Sequence, residues 1–361
     1  MERLYLDHAA TTPMTKAARE AMAQALDHWA NPSSPHAEGR RARAALESAR
    51  AQVATALDWK HSLIFTSGAS EAIGIVLARA QARRQLIAAV EHDAVRRQAR
   101  DALDVPVDES GRIDMVALDR LIEEAGPRPL VAVQAANSET GVLQPLDAVI
   151  ALVRSAGGLL LADCAQTAGK LPLPDADFVI VSGHKLGAGP GIGALLVRDL
   201  GTLAPSGGQE LGYRRGTEHM PGALALAAAL EGGAAWMARA EELRRYVDAQ
   251  IEAAGGEVIA RGAARLATIA SYRMPGVSAA TQLIRFDLAG IAISAGSACA
   301  SGTLRPSHVL QAMGMAEAPA GEVIRMSFGR GTSRADLWRF VEAWKEISDA
   351  ARGDAGAQAA A

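Results

Sequence analysis

The sequence predicts an α/β protein built on a largely parallel sheet covered on both faces, followed by a smaller α+β unit. Three observations carry this reading. Strand-length apolar runs alternate with stretches of helical period. Polar and glycine-rich segments fall where the apolar runs end, which is where ligands sit in open α/β sheets. A chain of 361 residues, 49% hydrophobic and 21% charged, is long and apolar enough for two globular units.

Strands are expected at Ser62–Thr66, 85–90, Leu130–Gln134, 158–163, Phe178–Ser182 and 192–197, each a short apolar run bounded by polar or glycine residues. Between them, 71–84, 115–124 and 146–155 carry apolar residues at helical spacing. The Ala, Leu and Glu/Arg-rich stretch 221–254 predicts one extended helix joining the two units. Beyond it, 266–272, 282–286 and 323–328 read as strands, 309–313 as part of a helix and 335–351 as a closing helix, with 352–361 a frayed end.

Composition excludes several classes. A net charge of −3 offers no basic footprint for nucleic acid and no polybasic membrane anchor. The uninterrupted apolar run 223–230 is far shorter than the roughly 20 residues of a bilayer span. Two cysteines, Cys164 and Cys299, rule out a disulfide framework and a four-thiolate metal site within one chain, and no metal is expected. So few thiols, with no basic-then-apolar leader pattern at the start, make a reducing, cytoplasmic setting the expectation.

Four segments carry chemistry. The apolar run ending at Ser182-Gly-His-Lys185 puts one of only five lysines at a strand end, where a desolvated amine can form a Schiff base with a carbonyl cofactor; the alternative is a surface lysine in a turn. The glycines that follow loosely match a dinucleotide fingerprint, but they lead into another apolar strand-like run, and the fingerprint needs a helix there. Phe65-Thr-Ser-Gly-Ala-Ser-Glu71 joins a strand to a helix through small and hydroxyl residues, as a phosphate cup does; simple capping by Ser67 or Ser70 is the alternative. Asp163 follows an apolar run, where an acid needs a cationic partner such as a protonated pyridine nitrogen or else caps a turn. Cys299 lies among small residues that offer its sulfur little packing, as suits a reactive thiol, whereas Cys164 is expected to pack without reacting.

Taken together, Tyr5-Leu-Asp-His-Ala-Ala-Thr-Thr-Pro13, Asn31-Pro-Ser-Ser34, Glu91-His92, Asn137-Ser-Glu-Thr-Gly141, Asp163-Cys-Ala-Gln166, Ser182-Gly-His-Lys185, Gly207-Gly-Gln-Glu210, Arg215-Gly-Thr-Glu218, the Cys299 segment and Ile324-Arg-Met-Ser-Phe-Gly-Arg330 occur in a family order. The chain resembles the cysteine desulfurases of the NifS/IscS type, class V aminotransferases that use pyridoxal phosphate (PLP) on fold type I. This resemblance implies a large PLP-binding domain over 13–235 with a mostly parallel seven-stranded sheet. It also implies a small domain, made of 1–12 and 236–361, that carries the catalytic cysteine loop.

By the same resemblance, Lys185 would carry PLP and move the substrate α-proton, Asp163 would hold the pyridine nitrogen, and Gln166 the ring oxygen. His92 would stack on the ring and take part in catalysis. Ala69, Ser70, Ser182 and His184 would form the phosphate cup, completed by Thr217 from the neighbouring subunit of a homodimer. Asn137 is expected at the cofactor and, with Arg325, at the substrate carboxylate. Cys299 would take the sulfur of L-cysteine as a persulfide, release L-alanine and pass the sulfur to an acceptor protein for iron–sulfur cluster or thiolation pathways. Ser138 stands where a second Asn is usual, Leu211 where an Arg is, and Ala188-Gly-Pro-Gly191 where a Gly-Pro-Lys-Gly run is. Another class V PLP enzyme, such as an aminotransferase or selenocysteine lyase, or a catalytically weak scaffold homologue, is the alternative.

Overall fold

The computed structural model describes residues 3–298, 304–305 and 307–359. Cys299 therefore lies outside the described residues. In chain order the elements are β1 (Leu4–Tyr5), α1 (Lys16–Asp27), α2 (Ala37–Ala56), β2 (Ser62–Thr66), α3 (Ala69–Arg79), β3 (Gln85–Ala88), α4 (Asp93–Arg96), β4 (Leu103–Val105), α5 (Met115–Ala125), β5 (Leu130–Gln134), α6 (Leu146–Ser155), β6 (Leu159–Asp163), β7 (Phe178–Ser182), α7 (Gly183–Leu186) and β8 (Gly193–Val197). They continue with α8 (Met220–Leu230), α9 (Met237–Ala253), β9 (Glu257–Val258), β10 (Ile269–Arg273), α10 (Ala279–Leu288), β11 (Ile291–Ala292), β12 (Ser297–Ala298), β13 (Leu304–Arg305), α11 (His308–Ala312), α12 (Glu317–Ala320), β14 (Val323–Ser327) and α13 (Arg334–Ala359).

β2 through β8 form one seven-stranded sheet in the order β2-β8-β7-β6-β5-β3-β4. All neighbouring pairs are parallel except the two made by β8, so six strands run one way and β8 alone runs against them. The inner strands β5, β6, β7 and β8 are buried along their whole length, the all-apolar pattern of a sheet covered on both faces. Separate apolar clusters cover the two faces: Leu86, Val131 and Leu160 point to one, Ile87, Ala132 and Leu161 to the other. A third cluster gathers Leu4, Leu6, Val247, Tyr272, Phe286, Phe340 and Trp344 around the antiparallel sheet β14-β10-β9. Val309, Leu310 and Met313, although late in the chain, pack into the first cluster.

Several sequence expectations change. The stretch 221–254 is two helices, α8 and α9, separated where Gly233 takes φ +57° and where a Cβ on Gly232 would fall 1.5 Å from Nη1 of Arg330. The expected strand 282–286 is part of helix α10: Ala279, Gln282 and Phe286 are buried at helical spacing, and the Ser278 hydroxyl caps Thr281 N–H. A five-residue window cannot separate the two periods. The closing helix α13 runs on to Ala359 rather than fraying after Ala351, as its alanine-rich tail favours. Helices α1 and α2 and strand β4 leave little signal in the sequence. The helices bury mainly alanines, such as Ala18, Ala25, Ala42 and Ala49, which give little hydrophobic contrast, and β4 is only three residues long. Among the described residues, no helix is long and apolar enough to cross a membrane.

Candidate active site

Because β2, β5, β6 and β7 run in one direction, their last residues, Thr66, Gln134, Asp163 and Ser182, share one edge of the sheet. The antiparallel β8 brings its first residue, Gly193, between Thr66 and Ser182. A side chain there would sit 2.7 Å from the Cα of Gly68, so this glycine lets the loop before α3 close over the sheet edge. The N-terminus of α3 has no side-chain cap: Gly68 precedes it at φ +153°, and neither Ser67 nor Ser70 caps it. Free N–H groups and the helix dipole favour an anion at such an end. Glu71 accepts from Ser67 N–H and is itself held by Nε of Arg214 at 3.0 Å.

Two adjoining cavities open on this edge. The inner one, about 390 Å³, is lined by Ala69, Ser70, His92, Asp163, Gln166, Ser182, His184 and Lys185 among others, which unites eight of the expected cofactor residues. The outer one, about 860 Å³, shares Ser70, His92 and Lys185 and adds Asp7, Glu139, His308 and Arg325.

Lys185 stands in helix α7, directly after β7. Residues 7–15 strap over it: Thr12 N–H donates to His184 O at 2.9 Å, and Thr15 N–H to Gly187 O at 2.9 Å. Its ammonium donates to the main-chain carbonyls of Ala9 and of Ala10, the latter at 2.8 Å. Burial, with help from Arg325, lowers its pKa from 10.5 to about 8, against the opposing pull of Asp163 and Asp7. A substantial neutral fraction at pH 7–8 follows, as a nucleophilic amine requires.

Asp163 ends β6 and is 7% exposed. Its Oδ1 accepts from Ala165 N–H at 2.9 Å, so it does cap the turn, yet burial still raises its pKa, with the Ala165 hydrogen bond, His92 and Lys185 pulling it down. The Gln166 amide donates to Ala9 O at 3.0 Å while its Oε1 is buried without a partner. His92 caps α4 by accepting Ala94 N–H on Nδ1 at 3.1 Å. His184, lowered to about 4 by burial and by Lys185, is neutral at pH 7, and its Nδ1 lies 3.2 Å from the Thr11 hydroxyl.

Arg325 projects from β14 across the cleft. It donates to Asp7 Oδ1 at 2.7 Å and to Ser138 O at 3.1 Å, and its buried Nε has no partner among the described residues. Asn137 is not among the residues lining either cavity. Its Oδ1 accepts from Glu139 N–H, Thr140 N–H and the Thr140 hydroxyl, and its Nδ2 donates to Val90 O at 3.3 Å. Thr217 is exposed and lines neither cavity. Leu211 is 60% exposed, away from the cleft, at φ 59°. Cys164 is fully buried and its thiol is pushed up to about 12 by that burial.

Sequence reasoning assigns no part to Asp7, Glu91 or His308, although the first two stand inside quoted motifs and His308 follows the Cys299 segment. Asp7 is Arg325's carboxylate partner, Glu91 is wholly buried with its Oε1 accepting Gln134 N–H at 2.7 Å, and His308 lines the outer cavity. The one available signal was charge set among apolar or small neighbours.

Residues 4–340 match the family model described as aminotransferase class-V. The chain belongs to the class V aminotransferase family. Among relatives of this class V chain, a cysteine desulfurase from Cereibacter sphaeroides is 33% identical, over 98% of this chain and 97% of the relative. The NifS-like protein from Rickettsia africae superposes with a TM-score of 0.89 at 28% identity, covering 96% of this chain and all of that one. A structure described as SspA in complex with cysteine gives a TM-score of 0.77 at 29% identity, covering 90% of this chain and 98% of that one.

Proposed function

We propose that the protein is a PLP-dependent cysteine desulfurase that converts L-cysteine to L-alanine and passes the sulfur through Cys299. The observation that carries this is the inner cavity, in which a partly neutral lysine, a buried carboxylate and an uncapped helix N-terminus converge. These are the three groups PLP needs, for its aldehyde, its ring nitrogen and its phosphate. The fit has independent support in two buried features. Asp163 has no cationic partner in the salt bridges among the described residues, and the Gln166 carbonyl is unpartnered. A protonated ring nitrogen would stabilise the first as an anion.

In this reading Lys185 holds the cofactor, Asp163 the ring nitrogen and Gln166 the ring oxygen, while His92 lies along the ring. Ala69, Ser70, Ser182 and His184 surround the phosphate. PLP, when bound, supplies an electron-withdrawing ring that stabilises negative charge at a substrate α-carbon. Arg325 binds the substrate carboxylate, a task suited to its guanidinium, and shares that charge with Asp7. Lys185, partly neutral because it is buried, takes the proton from the α-carbon and returns it. Asn137 acts on the carboxylate indirectly, by fixing the 137–141 turn whose Ser138 carbonyl holds Arg325.

The name of the Cereibacter relative and the cysteine held by SspA support the choice of substrate. We further assign a homodimer with Thr217 at the partner's phosphate site, a large unit over 13–235 beside a small one of 1–12 and 236–361, a sulfur-acceptor protein, and a cytoplasmic setting. The test is to incubate the PLP-loaded protein with L-cysteine and a reductant. Equal amounts of alanine and sulfide are expected, and C299A should make neither. Undiminished turnover in C299A would remove the persulfide role and favour another class V activity.

A further inference from the structure

We propose that His308 is a second catalytic imidazole of the outer cavity, the base that takes the thiol proton of the substrate; this rests on the desulfurase reading. The two imidazoles lining that cavity are held in opposite senses by main chain only three residues apart. His92 accepts the Ala94 N–H on Nδ1 at 3.1 Å, so its neutral ring carries hydrogen on Nε2 and offers the cavity a donor. His308 places Nε2 2.9 Å from the carbonyl oxygen of Glu91, an atom that only accepts. Its hydrogen is therefore on Nε2, and Nδ1 is left with its lone pair and no partner among the described residues. One ring offers the cavity a hydrogen-bond donor, the other a lone pair.

The base is firmly seated. Ser307 caps α11 by accepting Leu310 N–H at 3.1 Å and donates its own hydroxyl to Glu139 Oε2 at 2.6 Å, both buried. The same 137–141 turn presents Ser138 O to Arg325, so His308 and the carboxylate-binding arginine are referred to one rigid segment. With the carboxylate of L-cysteine at Arg325 and its amine beside Lys185, the remaining polar wall available to the side chain includes His308. That wall carries Asp7, Glu91, Asp93 and Glu139 beside Arg97, Lys185 and Arg325, with burial pushing the Glu91 carboxyl well above its usual range, so one added proton meets acids as well as cations.

The step is a simple transfer: the S–H bond breaks, its electron pair stays on sulfur, and a bond forms from the proton to Nδ1. The resulting imidazolium keeps its Nε2–H on the Glu91 carbonyl. His308 then returns the proton to solvent.

The experiment measures alanine formation from L-cysteine at pH 7 and pH 9 in the PLP-loaded wild type, H308A and H308Q, together with the affinity of each for L-alanine, which has no thiol. Glutamine can still donate to the Glu91 carbonyl but does not titrate. Both variants should lose about 100-fold in kcat at pH 7, with the deficit narrowing to under ~10-fold at pH 9, where a thiol of pKa ~8.5 ionises unaided. Affinity for L-alanine should stay within about twofold, since the substituted group meets only the thiol. Wild-type rates in H308Q, an equal deficit at both pH values, or loss of L-alanine binding would each overturn the assignment and leave His308 a structural residue. Absence of alanine from the wild type would overturn the desulfurase reading and this assignment with it.

Discussion

Lys170 and Lys185 are both pushed from 10.5 to about 8, chiefly by burial, yet their surroundings differ. Lys185 faces the two large cavities, has the Ala9 and Ala10 carbonyls as acceptors, and feels Asp163 and Asp7 pulling its pKa up. Lys170 lines a cavity of only about 80 Å³ that Lys185 and Arg330 share and that no carboxylate lines. A depressed pKa thus marks two amines, and geometry selects one. Only Lys185 combines a neutral fraction with room for a cofactor and a carboxylate placed for a ring nitrogen.

Activity should break the symmetry most strongly. K185A should lose at least about 10³-fold in alanine formation, whereas K170A should stay within about fivefold. Equal losses in steady-state assays would mean that both amines serve the reaction. Next in size is the substrate end. R325A should raise KM for L-cysteine by roughly 10- to 100-fold, the worth of a charge-assisted hydrogen-bond pair, and leave cofactor loading unchanged. A fall in PLP content instead of a rise in KM would place Arg325 at the cofactor.

Stability is the smaller effect and should shift in the same direction for both lysines. An amine whose folded-state pKa lies below its unfolded value costs stability in full below the folded value, near pH 8, and the cost fades as pH rises towards 10.5. Cofactor-free K170M should therefore be more stable than wild type at pH 7 by on the order of 2 kcal/mol, with the gap closing above pH 10. K185M should gain less, because the Ala9 and Ala10 carbonyls lose their donor. Urea titrations at pH 7 and pH 10 measure both, and a gap that widens with pH would contradict the burial account. The smallest expected effect concerns Cys164: its thiol, pushed up to about 12, should resist iodoacetamide at pH 8, so peptide mapping should find the label on Cys299 alone.

The cofactor end of the site was far more legible in the sequence than the substrate end. Asp163, Ser182 and Lys185 follow continuous apolar strands, so their place at the sheet edge follows from where those runs stop. The proposed substrate end is assembled from Asp7, Ser138, His308 and Arg325, four segments brought together only by tertiary structure, and two of its contacts are to main-chain carbonyls that no side-chain pattern announces. The apolar runs predict every strand of the seven-stranded sheet except β4, while 282–286, inside α10, reads as a strand because five residues fit both periods. Asn137 rests on resemblance alone, and its side chain is spent on its own turn and on the Val90 carbonyl.

The central claim is that Lys185, and no other lysine, carries the cofactor. Loading the protein with PLP, reducing it with borohydride and mapping the peptides tests it directly. The account predicts a phosphopyridoxyl mass on the peptide containing Lys185 and none on that containing Lys170; a label on Lys170, or an unmodified Lys185, would contradict it.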